Sequence, residues 1–201
     1  MSWNLGEDDW NGGSDEDSDE GDNYSESKFR NLKSHTIYAV DASSNMFKKL
    51  ARTVHAPADR PGHAREEQTE DSSPFYMVME GLRSGLSESI ILSPNDLTGI
   101  ILYNVRKNSN SMSFDHIYVT MNLSTPGASD LASVEALRDL ALRDEGPKFQ
   151  QHFGSADNMV DISNVLFVAR DIFDSCTTAK QGRKKVIFYT CNDDPQSGML
   201  F

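Results

Sequence analysis

Residues 36–47 read TIYAVDASSNMF, and the fold turns on how that stretch is understood. Thr36 to Val40 are β-branched, aromatic or small, the make-up of a buried strand in a parallel sheet. Asp41 then opens a turn of small polar residues, and a helix is expected to start at Asn45 or Met46. Asp41, Ser43 and Asn45 thereby fall on a loop at the carboxyl end of a strand. In open α/β sheets, sites are built there.

Working outward, the same alternation of strand and helix recurs. Residues 52–73, RTVHAPADRPGHAREEQTEDSS, hold two Pro, a Gly and many charges without apolar period, which predicts a disordered insertion. Phe75, Val78, Met79, Leu82 and Leu86 then lie at helical spacing, with Pro74 suited to the first turn. DLTGIILYNV (96–105) reads as a second buried strand, RKNSNSMS (106–113) as a hairpin-like connection, and residues 117–123 as a third strand. Helical spacing returns over 130–142. Gly146-Pro147 breaks it, and Asp161 caps a last helix whose inner face is Ile162, Val165, Leu166, Ala169, Ile172 and Phe173. KVIFYT (185–190) is the fourth strand. The order predicts an α/β fold of three layers, Rossmann-like, with a mainly parallel sheet covered on both faces.

Charge separates a tail from this body. The net charge of the 201-residue chain is −12, but residues 1–27 hold ten Asp or Glu and no Lys or Arg, leaving about −2 for the remainder. Residues 1–33 are expected to be an acidic disordered tail, since such a composition buries too little apolar surface to offset its ordering entropy. Residues 34–201 form the expected domain. No basic stretch leads into an apolar one at the start, and no run of some 18 apolar residues occurs, so a soluble intracellular protein without membrane contact is expected. Cys176 and Cys191 are not in a CxxC arrangement and are expected to be reduced thiols. The five histidines show no HExxH spacing, and neither a GxxxxGK[ST] nor a GxGxxG loop occurs, so no cofactor is implied.

Asp41, Ser43 and Asn45 invite comparison with a metal site. A hard cation such as Mg²⁺ takes near-octahedral oxygen ligands, and Asp-x-Ser-x-Ser supplies three of them in von Willebrand factor A domains. Here Asn45 replaces the second Ser, residues 154–164 contain no Thr, and Cys191 stands where the motif needs an Asp, with Asp193 and Asp194 further on. The motif is degenerate, and no metal is expected. Asp41 and Ser43 are read instead as hydrogen-bonding the turn and capping the helix after it.

An A-type domain with a degenerate metal motif behind an acidic tail narrows the field. TIYAVDASSNMF, PFYMVMEGLRS, DLTGIILYNV, SMSFDHIYVTMNLSTPGA, DISNVLFVARDIFDS and KKVIFYTCNDDP together resemble the amino-terminal domain of the seventy-kilodalton subunit of the Ku heterodimer, over most of residues 34–195. The resemblance implies a six-stranded A domain followed by a DNA-encircling barrel. It implies a nuclear protein paired with the eighty-kilodalton Ku subunit, binding broken DNA ends and end-joining proteins in double-strand-break repair and telomere maintenance. Against that pattern the domain is expected to be incomplete at the C-terminus, which would leave KVIFYT as an uncovered sheet edge.

DNA contact by this chain alone is expected to be weak. Its basic clusters are short, Lys48-Lys49 and Arg183 to Lys185, and phosphate neutralisation needs more. Two alternatives stand beside this reading. The resemblance implies one, an abasic-site lyase acting through a Schiff-base lysine, for which Lys28 in Lys28-Phe29 is the first choice and Lys33 the second. The other, a metal-dependent A-type interaction module, rests on Asp41, Ser43 and Asn45. The family's ATP-dependent helicase label has no phosphate-cradling loop to support it here.

Overall fold

The computed structural model describes residues 33–55, 67–143, 147–156, 159–180 and 182–192. The chain divides into two units, Met1–Leu32 and Lys33–Phe201. The first, and with it Lys28, lies outside the described residues, as does the middle of the expected insertion, 56–66.

The main sheet has four strands among the described residues: β1 (Ser34–Asp41), β4 (Leu97–Tyr103), β5 (Ile117–Ser124) and β6 (Arg183–Tyr189). They lie in the order β5-β4-β1-β6. β1 is parallel to both neighbours, with Ile37 opposite Gly99 on one side and Val186 on the other. β5 runs antiparallel to β4, as the hairpin-like connection between them requires. A register shift in that pair falls around Gly99, where an added Cβ would lie 3.3 Å from the Met121 carbonyl oxygen. The absent side chain lets the two backbones close there.

The remaining strands correct one expectation. β2 (Leu50–His55) and β3 (Glu67–Ser72), both largely within the expected disordered insertion, pair antiparallel as a separate two-stranded sheet, Leu50 opposite Ser72 and His55 opposite Glu67. Backbone pairing does not need an apolar period, so composition concealed it.

Four α-helices complete the layers: α1 (Pro74–Leu92), α2 (Ala128–Arg143), α3 (Pro147–Phe153) and α4 (Ile162–Ser175). Ser73 caps α1, its hydroxyl oxygen accepting from Tyr76 N–H at 3.2 Å, and Pro74 occupies the first turn as expected. α2 begins two residues before its expected start because the Asp130 carboxylate accepts from Gly127 N–H at 2.9 Å and closes the turn. Pro147 of the expected break opens α3, since proline suits a helix start. α4 is capped by Asp161 as expected, its carboxylate accepting from Ser163 N–H at 2.8 Å.

Each face of the sheet carries its own core. On one, Val40, Ile100, Leu102 and Met121 meet Phe75, Met79, Leu82 and Leu86 of α1, Val134 and Leu137 of α2, and Phe149 and Phe153 of α3. Phe47, Phe75 and Phe149 form a triangle with ring centroids 4.8 to 4.9 Å apart. Glu80 of α1 bridges Arg83 at 2.8 Å and Arg138 of α2 at 3.0 Å, and the Arg83 guanidinium holds its carboxyl below the usual range. On the other face, Ile37, Ala39, Ile101 and Ile117 pack under Val165, Val168, Ala169, Ile172 and Phe173 of α4. Val168 replaces Leu166 on the inner face of α4; Leu166 is 46% exposed. Among the described residues, no helix is long and apolar enough to cross a membrane.

Candidate functional site

β1, β4 and β6 are parallel neighbours, so their carboxyl ends and the loops after them converge. At that point the backbone N–H of Ala42 donates to the Tyr103 carbonyl at 2.9 Å, carrying the ladder one residue beyond β1. The expected helix at Asn45 is a single 3-10 turn, Ser44–Phe47. Met46 N–H donates to the Ser43 carbonyl at 3.0 Å, Met46 and Phe47 turn into the core, and the chain is extended again at Lys48.

Asp41 is 1% exposed and its carboxylate accepts three hydrogen bonds. Oδ1 accepts from Ser43 N–H at 2.8 Å and from Asn104 Nδ2 at 2.7 Å, and Oδ2 accepts from Thr190 Oγ1 at 2.9 Å. A buried carboxylate needs such donors, because desolvation without them is costly. Asn104 stands at the end of β4 with φ 64°, in the left-handed region that Asn tolerates better than most side chains. Its Oδ1 accepts from Val160 N–H at 2.8 Å, and its carbonyl accepts from Ala156 N–H at 3.2 Å. One asparagine thus ties the loop after β1 to the segment that leads into α4. Thr190 follows β6 and also accepts from Asn192 N–H at 3.0 Å.

The Tyr103 phenol lies beneath this knot. Burial raises its pKa first and the Asp41 carboxylate raises it further, while the neighbouring Thr190 hydroxyl pulls the other way. The phenol oxygen makes no hydrogen bond of good geometry.

The sequence-derived candidates therefore fare differently. Asp41 is the centre of the knot. Ser43 contributes its backbone N–H, and its hydroxyl makes no cap hydrogen bond to the turn that follows, contrary to expectation. Asn45 is exposed, as are Cys191, where the motif would need an Asp, and Lys33, whose carbonyl accepts from Arg183 N–H at 2.9 Å. Neither Cys176 nor Cys191 is in a disulfide. Asn104 and Thr190 were not anticipated. Their signal in the sequence is an amide directly after the apolar run GIILY and a hydroxyl directly after VIFY.

This donor set does not suit a hard divalent cation. Such an ion wants several anionic or carbonyl oxygens, whereas among the described residues the one carboxylate at the knot already faces two side-chain donors and a backbone N–H. Among the described residues, no three His, Cys, Asp or Glu gather as ligands. What the arrangement does is mechanical: it locks three strand ends and the approach to α4 into one geometry.

The chain is 27% identical over 184 residues to "ATP-dependent DNA helicase 2 subunit 1" of Rhipicephalus appendiculatus, covering 91% of this chain and 26% of that protein. It is 29% identical over 163 residues to "X-ray repair cross-complementing protein 6" of Mus musculus, covering 79% and 22% respectively. The "ATP-dependent DNA helicase ku70" of Dictyostelium discoideum is 29% identical over 140 residues, covering 65% and 13%. The chain thus spans about a quarter or less of the length of these curated relatives. The family described as the Ku70/Ku80 N-terminal alpha/beta domain matches residues 61–199, more than half the chain. With its mainly parallel sheet between helical layers, the chain belongs to the Ku70/Ku80 N-terminal alpha/beta domain family.

Proposed function

We propose that this chain is the protein-interaction domain of a Ku small subunit, a nuclear DNA-repair protein. In this reading the whole protein pairs with the eighty-kilodalton Ku subunit and captures broken duplex ends for non-homologous end joining and telomere maintenance. The observation that carries it is the match of residues 61–199 to the Ku amino-terminal domain. The Asp41 knot supports contacts that need no bridging cation, because its oxygens already face protein donors. The near-neutral balance of residues 28–201, about −2 beside the acidic tail, supports a domain that leaves DNA to other parts of the protein.

The test is genetic and biochemical. Disrupting the gene is expected to sensitise cells to double-strand breaks, and the tagged product is expected to co-purify with the eighty-kilodalton subunit. Normal resistance together with no such partner would end this reading. Borohydride trapping on abasic DNA, run beside Lys28→Ala, addresses the lyase alternative: only an adduct lost in the variant revives it.

A further inference from the structure

The connection between β4 and β5 joins a charge motif to an exposed hydroxyl. Arg106-Lys107-Asn108-Ser109 is the single place in the sequence where an Arg stands three residues ahead of a Ser or Thr. Basic residues three and two positions before a hydroxyl are the charge pattern that a basophilic serine kinase reads with an acidic groove. All four residues are exposed. Backbone bonds hold the segment against the fold: Lys107 N–H donates to the Phe153 carbonyl at 2.9 Å, Ser109 N–H to the Ile117 carbonyl at 3.0 Å, and Val119 N–H to the Ser109 carbonyl at 2.9 Å.

Ser109 also lines a bowl of about 470 Å³ between this connection, β5 and α4, together with Ser111, Val119, Asn122, Asp171 and Ser175. There the Ser111 hydroxyl donates to Asp171 Oδ2 and ties the connection to α4. We propose that Ser109 is a phosphorylation site for a basophilic serine kinase, and that its phosphate frees the connection from α4. The Ser109 oxygen attacks the γ-phosphorus of a nucleoside triphosphate, and the bond from that phosphorus to the β-bridging oxygen breaks. The nucleoside diphosphate leaves, and the hydroxyl proton passes to the kinase's base. The product carries about −2 charge at neutral pH and shares the bowl with the Asp171 carboxylate, so like charges meet where Ser111 now donates. α4 is anchored in the core by Val165, Val168, Ala169, Ile172 and Phe173, whereas Ser109, Ser111, Met112 and Ser113 are exposed, so the connection is the part that moves. This site is independent of the repair role.

The full chain is incubated with Mg-ATP and the catalytic subunit of a cyclic-AMP-dependent protein kinase, beside a peptide of residues 103–114, and the products are mapped by mass spectrometry. Phosphate is expected on Ser109 in both and is expected to be absent there in Ser109→Ala. A peptide carrying Arg106→Gln is expected to react about tenfold more slowly, a readout free of folding. Hydrogen exchange then compares modified and unmodified chains. The Val119 amide is expected to lose protection on phosphorylation, and Asp171→Asn, which keeps an acceptor for Ser111 without the charge, to restore most of it. A folded chain that takes no phosphate on Ser109 while the peptide does overturns the proposal, as does a peptide that is no substrate. Phosphate on Ser109 with Val119 exchange unchanged, or a loss of protection that Asp171→Asn leaves in full, overturns the release from α4.

Discussion

Asn104 Nδ2 donates to Asp41 Oδ1 at 2.7 Å across 63 residues of sequence, and both side chains are buried. This bond couples the ends of two adjacent parallel strands, and through the second amide atom it reaches Val160 ahead of α4. Asn104→Ala removes both contacts, leaves the Asp41 carboxylate short of a donor and puts a Cβ-bearing residue without polar compensation at φ 64°. The expected cost is about 2–4 kcal/mol. Asn104→Gly loses the same side-chain bonds but accepts the backbone, and is expected to be less damaging by about 1 kcal/mol. Urea melts of the two variants separate hydrogen bonding from backbone strain; equal losses would show that strain is negligible there.

Cation response is the second outcome. Because the carboxylate oxygens of Asp41 face three donors, millimolar Mg²⁺ or EDTA is expected to leave Tm unchanged to within about 1 °C. A site that bound the ion at one-hundredth of the added concentration would stabilise by about 2.7 kcal/mol, an easily seen shift. Calorimetric heat with a rise in Tm would reverse this assignment.

Alkaline stability follows from Tyr103. Burial and the Asp41 charge raise the phenol above its ordinary value of 10.0, so the unfolded chain loses this proton first as pH rises. Its contribution is fully present below pH 10 and is lost progressively above it. Tyr38 is raised as well, chiefly by burial and then by Tyr189, and adds to the same fall. Tyr103→Phe is expected to flatten the larger part of it. At neutral pH the change should stay within about 1 kcal/mol, since the phenol makes no well-formed hydrogen bond.

Two glycine changes of opposite sign test the backbone. Gly154 has φ 72°, and an added Cβ would lie 2.5 Å from Arg106 Cβ, so Gly154→Ala is expected to cost about 1–3 kcal/mol. Gly85 sits within α1 with nothing in reach of a new Cβ, so Gly85→Ala is expected to stabilise by about 0.5–1 kcal/mol. Thermal melts of the two single variants decide the signs.

The sheet was legible because TIYAV, GIILY and VIFY are apolar runs of strand length, and the stripes of α1 and α4 are long enough to set a period. The β2–β3 hairpin was not, since its pairing rests on backbone bonds that charged and polar residues share with loops. α4 departs from its expected face at one position, with Leu166 outside and Val168 inside, because every residue from Val165 to Ala169 is apolar and that run alone does not fix which of them meet the sheet. Asp41 was marked by its neighbours in the chain. Asn104 and Thr190 were hidden by distance, since only the sheet register brings them to Asp41 from 63 and 149 residues away.

That register also fixes an order of events during synthesis. β1, one of the two inner strands, leaves the ribosome before either of its neighbours: the residue facing His35 on one side is Leu97, and on the other it is Lys184. Until both have emerged, an apolar ribbon of Ile37, Ala39 and Val40 must wait without its ladder. Closure over such sequence separations is slow, which makes the nascent first third of this chain a natural client for chaperones.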